Sequence, residues 1–138
     1  MKTTITWEKN VKFTGATPDG HRVHIDGPLE AGGANEGMRP MELILMGVGA
    51  CSAFDVMSIL QKSRQNVTDC RCEVSATRAD EIPRVFTDVH LHFIVAGPDL
   101  SEKHVARAIK LSAEKYCSAS IMLAKAANVT HSYEVLAE

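Results

Sequence analysis

The chain predicts an α+β fold in one domain spanning residues 1–138, and three observations carry that prediction. Segments alternating between apolar and polar residues with the period of a strand occur early, in the middle and at the end. Two other stretches, opening near Pro40 and near Ser101, follow helical patterns. Strands and helices succeed one another without the strict alternation that a parallel α/β sheet demands.

Residues 3–14, "TTITWEKNVKFT", read as one half-buried strand rich in Thr, Val, Ile and Trp. "ATPDG" is a turn in which Pro18 presets φ and Gly20 accepts a positive value. "HRVHID" returns as the second strand of that hairpin. Residues 27–37, with four glycines, form a loop or lid. Pro40 suits the first turn of a helix, where its missing N–H costs nothing, and the pattern runs to about Gln65. The first four turns are apolar nearly all round, which predicts a helix buried on every side. "VTDCRCEVSATRAD" and "VFTDVHLHFIVAG", separated by "EIPR", make a second hairpin. A helix then starts at "GPDLSEKH", capped by Asp99 or Ser101, with Glu102 placed to close a capping box from Asp99. It runs through to Cys117; "SIMLAKAAN" prolongs it or begins another, and "VTHSYEVLAE" closes as a strand.

A helix apolar on every side needs cover on every side, and a chain of 138 residues has sheet enough for one. A second copy of the chain is the simplest source of the rest, which predicts a homodimer.

Composition removes several classes of function. A net charge of −2 with scattered Lys and Arg gives a polyanion nothing to recognise, so no nucleic acid is expected. "MKTTITWEKN" lacks the apolar core of a signal peptide, and Glu42 and Asp55 interrupt the longest apolar run, so no membrane span is expected. The expected compartment is the cytoplasm, where four cysteines serve as thiols or redox groups rather than permanent bridges.

Cys51 in "ACSAF" and Cys117 in "YCSAS" both sit among small residues on predicted helices. Two readings stay open for them. Cysteine packs as a small hydrophobe, and burial alone accounts for both. Alternatively, a thiolate attacks a peroxide to give a sulfenic acid, and a second thiol nearby condenses with it. Cys70 and Cys72 lie two apart on a strand and face the same way, without the spacing of a zinc ribbon. Of the six histidines, His90 and His92 share a strand face, and a solvated hairpin explains them; no metal and no cofactor is expected. Arg39 and Glu42 flank the start of the long helix, where Glu42 complements the helix dipole. A guanidinium near Cys51 would lower its pKa, but Arg39 lies twelve residues away, roughly 18 Å along one helix. Arg22 and Arg107 are rivals for that role. Leu45, Val48, Phe54 and Met57 are candidates to line an apolar pocket.

The order of "GMRPMELILMGVGACSAFDV", a β hairpin, "AEKYCSASIML" and a terminal strand resembles the OsmC/Ohr family of osmotically inducible and organic hydroperoxide resistance proteins, and among them the YhfA-like branch. The resemblance implies an intertwined α+β homodimer with active sites at the subunit interface. It implies a thiol peroxidase that reduces organic hydroperoxides and is regenerated by a dithiol such as a lipoyl group. By position, Cys51 would be the peroxidatic cysteine and Cys117 the resolving one, with Arg22, Arg39 and Glu42 as candidates to orient and stabilise charge. In the family a glutamate directly follows the motif proline; here Met41 stands there and Glu42 lies one residue on, turned by about 100°. That change opens an alternative: a non-enzymatic member holding a small apolar ligand at the dimer interface.

Overall fold

The computed structural model describes residues 1–137. The chain divides into two compact units, Met1–Ile44 and a second beginning at Leu45. Its architecture is α+β: two three-stranded sheets and one long helix.

The first unit is an antiparallel meander of β1 (Thr4–Lys9), β2 (Lys12–Ala16) and β3 (Arg22–Ile25). The single strand expected over residues 3–14 is therefore two strands. Asn10 takes φ 50° and turns the chain, and its carbonyl accepts the Trp7 indole N–H at 2.9 Å. Asparagine tolerates the left-handed region, so this turn needed neither proline nor glycine. Beyond β3 the glycine loop winds around one buried carboxylate. Asp26 accepts from the backbone N–H of Gly27 at 2.7 Å and of Ala34 and Glu36 at 3.1 Å each. These bonds, that from Glu36 foremost, hold its carboxyl below the usual range against the opposing effect of burial.

Helix α1 (Pro40–Lys62) opens as Pro40 foretold. The Glu42 side chain reaches back to the Arg39 N–H at 2.9 Å, the acidic half of a capping box. It ends three residues short of Gln65. Arg64, at φ 59°, donates to the Gln61 carbonyl, and the Gln65 N–H reaches that of Leu60, a Schellman closure made without glycine. Within the chain the helix is not buried on every side. Val48, Gly49, Ser52, Val56 and Leu60 form one buried stripe, while Ile44, Met46 and Phe54 are exposed. By length and composition alone, an 18-residue window of α1 with a mean hydropathy of 2.0 would suffice to cross a bilayer despite the charges on the helix. Core helices meet the same test, and Val56 and Leu60, at 0% exposure, are packed as core.

In the second unit, β5 (Phe86–Ala96) is the central strand, antiparallel to β4 (Asp69–Arg78) and parallel to β6 (Asn128–Leu136). One face of β5 carries Val89, Leu91, Phe93 and Val95, all fully buried. Against this core lie the α1 stripe and Val105, Ala108 and Ile109 of α2 (Glu102–Leu111). At Gly49 α1 lies close to β4: a Cβ there would stand 2.8 Å from Val74 Cγ2. Ser101, not Asp99, caps α2, accepting from the His104 N–H at 3.4 Å. Glu102 thus makes no capping box and instead accepts from the Tyr133 hydroxyl at 3.3 Å. α2 stops at Leu111, and a widened π turn over Ser112–Tyr116 separates it from α3 (Ser118–Leu123). Cys117 stands in the extended junction between them rather than at the end of α2, and the residues after it begin another helix, one of the two expected outcomes.

Candidate active site

Two residues of the site come from one face of α1. Cys51 and Asp55 are four apart, one turn of helix, so their side chains project together. The third comes from the junction after the π turn. Cys117 caps α3, its sulfur accepting the Ser120 N–H at 3.4 Å. The two sulfurs and an Asp55 carboxylate oxygen all lie within 4.8 Å of one another. Both cysteines are free thiols; Cys51 is half-buried and Cys117 fully buried. Burial pushes the Cys117 thiol up; hydrogen bonds from Ser120 oppose this and the neighbouring Cys51 adds to it.

Ser112 fastens this cluster from below. Its hydroxyl lies 3.0 Å from that of Ser52 and donates to Asp55 Oδ2 at 3.2 Å. Both serines are fully buried, so the Ser52 hydroxyl depends on that of Ser112, which in turn depends on the Asp55 carboxylate. A cleft of about 460 Å³, lined by Asp55, Ile59, Lys62, Arg107, Leu111 and Tyr116, gives a small molecule access to the Asp55 side.

The remaining expected residues divide between the two units. Arg39 donates to the carbonyls of Gly37 at 3.1 Å and Asp26 at 3.4 Å, and to Asn35 Oδ1 at 2.9 Å, so in the first unit it braces the glycine loop. Arg22 is exposed on β3 at the rim of an apolar cleft of about 280 Å³ that includes Ile5, Val23 and Leu43. Arg107, in the second unit, is the arginine that shares a cleft with Asp55. Of the apolar candidates, Val48 is core at 1% exposure and Phe54 is 77% exposed, so these two do not line one pocket.

Cys70 and Cys72 lie half-buried on the inward face of β4. Burial raises both thiols, Cys72 to about 11 with help from the charges of Cys70 and Cys117. His90 and His92 share a face as expected, and each is bonded rather than merely solvated. Ser132 Oγ lies 2.7 Å from His90 Nε2 and from His92 Nδ1.

Sequence reasoning passed over Asp55 and Ser112. Asp55 carried a usable signal: a carboxylate kept in an apolar helix four residues after a cysteine. Ser112 carried none.

An OsmC-like protein family model matches residues 33–132, and that span holds both cysteines. The chain belongs to the OsmC-like family. It is 49% identical to protein YhfA of Escherichia coli strain K12 over 137 residues, covering 99% of each chain. Among solved structures, it is similar to a hypothetical protein from Aquifex aeolicus VF5, at 30% identity with a TM-score of 0.85, covering 97% of this chain and 94% of that one. It shares its fold with an organic hydroperoxide resistance protein OsmC from Legionella pneumophila, at 18% identity, a TM-score of 0.73 and 97% coverage of both.

Proposed function

We propose that this member of the OsmC-like family is a cytoplasmic, homodimeric thiol peroxidase that reduces organic hydroperoxides through Cys51 and Cys117. The observation that carries the reading is the meeting of the two sulfurs within 4.8 Å, from positions 66 residues apart. The Cys51 thiolate attacks the distal peroxide oxygen; the O–O bond breaks, the alkoxide takes a proton and leaves as alcohol, and Cys51 becomes a sulfenic acid. The Cys117 sulfur then attacks the Cys51 sulfur. The thiol proton and the sulfenic hydroxyl leave together as water, and a disulfide forms. A lipoyl-type dithiol returns the pair to two thiols and is itself oxidised to its disulfide. Disulfide formation draws the sulfurs to about 2 Å, a closure that side-chain rotation supplies. The exposed side of α1, with Ile44, Met46 and Phe54, supports the homodimer, since a second copy would cover it. The anion-stabilising arginine is assigned to Arg22 or Arg39, with Glu42 orienting it, and Arg107 is the competing candidate.

One equivalent of cumene hydroperoxide, added to reduced protein and followed by peptide mass spectrometry, tests this. A Cys51 sulfenate or a Cys51–Cys117 disulfide is expected. Unmodified cysteines with intact peroxide would sink it and favour the apolar-ligand alternative. Substituting Arg22, Arg39 and Arg107 by Lys, one at a time, identifies the arginine: the residue in use loses kcat/KM with no loss of folded protein.

A further inference from the structure

Three soft or anionic donors converge on one point without a salt-bridge partner of their own among the described residues. Cys51 and Asp55 are fixed at one-turn spacing on α1, and Cys117 is fixed by its capping bond to Ser120. A tetrahedral zinc ion binds sulfur at about 2.3 Å and a carboxylate oxygen at about 2.0–2.2 Å, which sets its donors about 3.5–3.8 Å apart. The donors here lie within 4.8 Å, so small side-chain rotations of about 1 Å would close the set. A second layer is already in place. Ser112 holds the carboxylate at 3.2 Å, as outer partners hold metal ligands elsewhere. Charge also fits. Two thiolates and one carboxylate carry three negative charges, a divalent ion cancels two, and Lys62 and Arg107 line the adjoining cleft. No His-x₃-His or C-x₂-C spacing announces such a site, because its ligands are gathered by the fold.

We propose that reduced Cys51, Asp55 and Cys117 form a three-ligand site for a soft divalent cation, zinc, with a fourth position open toward the cleft. Binding replaces two thiol protons, which leave to solvent, and involves no change of oxidation state. Joining the sulfurs in a disulfide removes two of the three ligands, so metal and oxidant compete for one pair of atoms. The inference does not depend on peroxidase activity, because it needs only the reduced side chains.

The test uses the full chain, reduced and stripped of metal, titrated with zinc against a chromophoric chelator and separately with cobalt(II). Expected are one zinc per chain and a thiolate-to-cobalt charge-transfer band with the strong visible absorption of tetrahedral geometry. Cys51→Ser and Cys117→Ser should abolish the band with circular dichroism unchanged, and Asp55→Asn should weaken zinc about tenfold or more. Cys70→Ser with Cys72→Ser should leave both signals intact. Absence of a thiolate band in the wild-type protein would overturn the proposal whatever the variants do. So would a band that survives Cys51→Ser, or one lost with Cys70 and Cys72. A band in a protein that consumes no cumene hydroperoxide would support the metal site and overturn only the peroxidase reading. In an active protein, peroxide should erase the band, and dithiol should restore it.

Discussion

The protein carries two cysteine pairs, and the contrast between them shows how little spacing in sequence says about chemistry. Cys70 and Cys72 are two residues apart on β4 and face the same way, and a Cβ at Gly49 of α1 would stand 3.9 Å from Cys72 Sγ. Burial holds their protons on, Cys72 up to about 11. Cys51 and Cys117 come from distant parts of the chain and meet among Asp55, Ser112 and Ser120. The strand pair has proximity, but neither thiol has a hydrogen-bonded polar neighbour among the described residues. The helix pair has both, and only surroundings of that kind can move a proton, steady an anion or hold an ion.

The largest expected effect divides the pairs outright. Cys51→Ser should lower the rate of cumene hydroperoxide reduction by roughly three orders of magnitude or more, since no other group replaces the nucleophile. Cys72→Ser should leave it within about twofold. Equal losses from the two variants would erase the distinction.

Alkylation separates the strand pair by pH. With its thiol at about 11, Cys72 is thiolate in roughly one molecule per thousand at pH 8. Its reaction with iodoacetamide should therefore quicken about tenfold per pH unit until about pH 11. Peptide mapping across that range checks it, and a rate that levels off below pH 9 would contradict the burial argument.

Stability probes the polar floor of the helix pair. Ser112→Ala leaves the buried Ser52 hydroxyl and the Asp55 carboxylate short of a partner, a loss of about 1–3 kcal/mol in urea unfolding. Because the two serines bond one another at 3.0 Å, adding Ser52→Ala should cost less than the sum of the single changes. Strict additivity would mean that the bond contributes nothing.

Much of this contrast was visible before any coordinates, and the parts that were not have physical reasons. The α+β class, the start of α1 at Pro40 and the β4–β5 hairpin follow from periodicity and proline chemistry. The break between β1 and β2 and the end of α1 did not announce themselves. Both turns use non-glycine residues at positive φ, Asn10 and Arg64; the Trp7 indole bonds the Asn10 carbonyl and backbone hydrogen bonds close the turn at Arg64, and sequence displays neither. Cys51 and Cys117 stood out by position and by resemblance to the family. Their meeting depends on the π turn at Ser112–Tyr116, which takes Cys117 out of a helix and makes it a cap. Such turns cluster at functional sites but have no sequence signature that sets them apart from ordinary helix.

The smallest effect concerns the contact between the helix that carries Cys51 and the strand that carries Cys72, and it turns on two glycines of one helix. Alanine in place of a helical glycine stabilises by about 0.8–1.0 kcal/mol when nothing intervenes. At Gly47 the new methyl meets no atom within 4 Å, so Gly47→Ala should raise stability by about that much. At Gly49 the methyl falls 2.8 Å from Val74 Cγ2, on the strand that carries Cys72, and overpacking of this kind costs about 1–3 kcal/mol. Gly49→Ala should therefore come out destabilising by about 1 kcal/mol, opposite in sign to its neighbour one half-turn away. Urea unfolding of both variants at low protein concentration measures the pair. If Gly49→Ala stabilises as Gly47→Ala does, α1 does not press on β4. A Gly47 sign that reverses as concentration rises would place the partner subunit against that side of the helix.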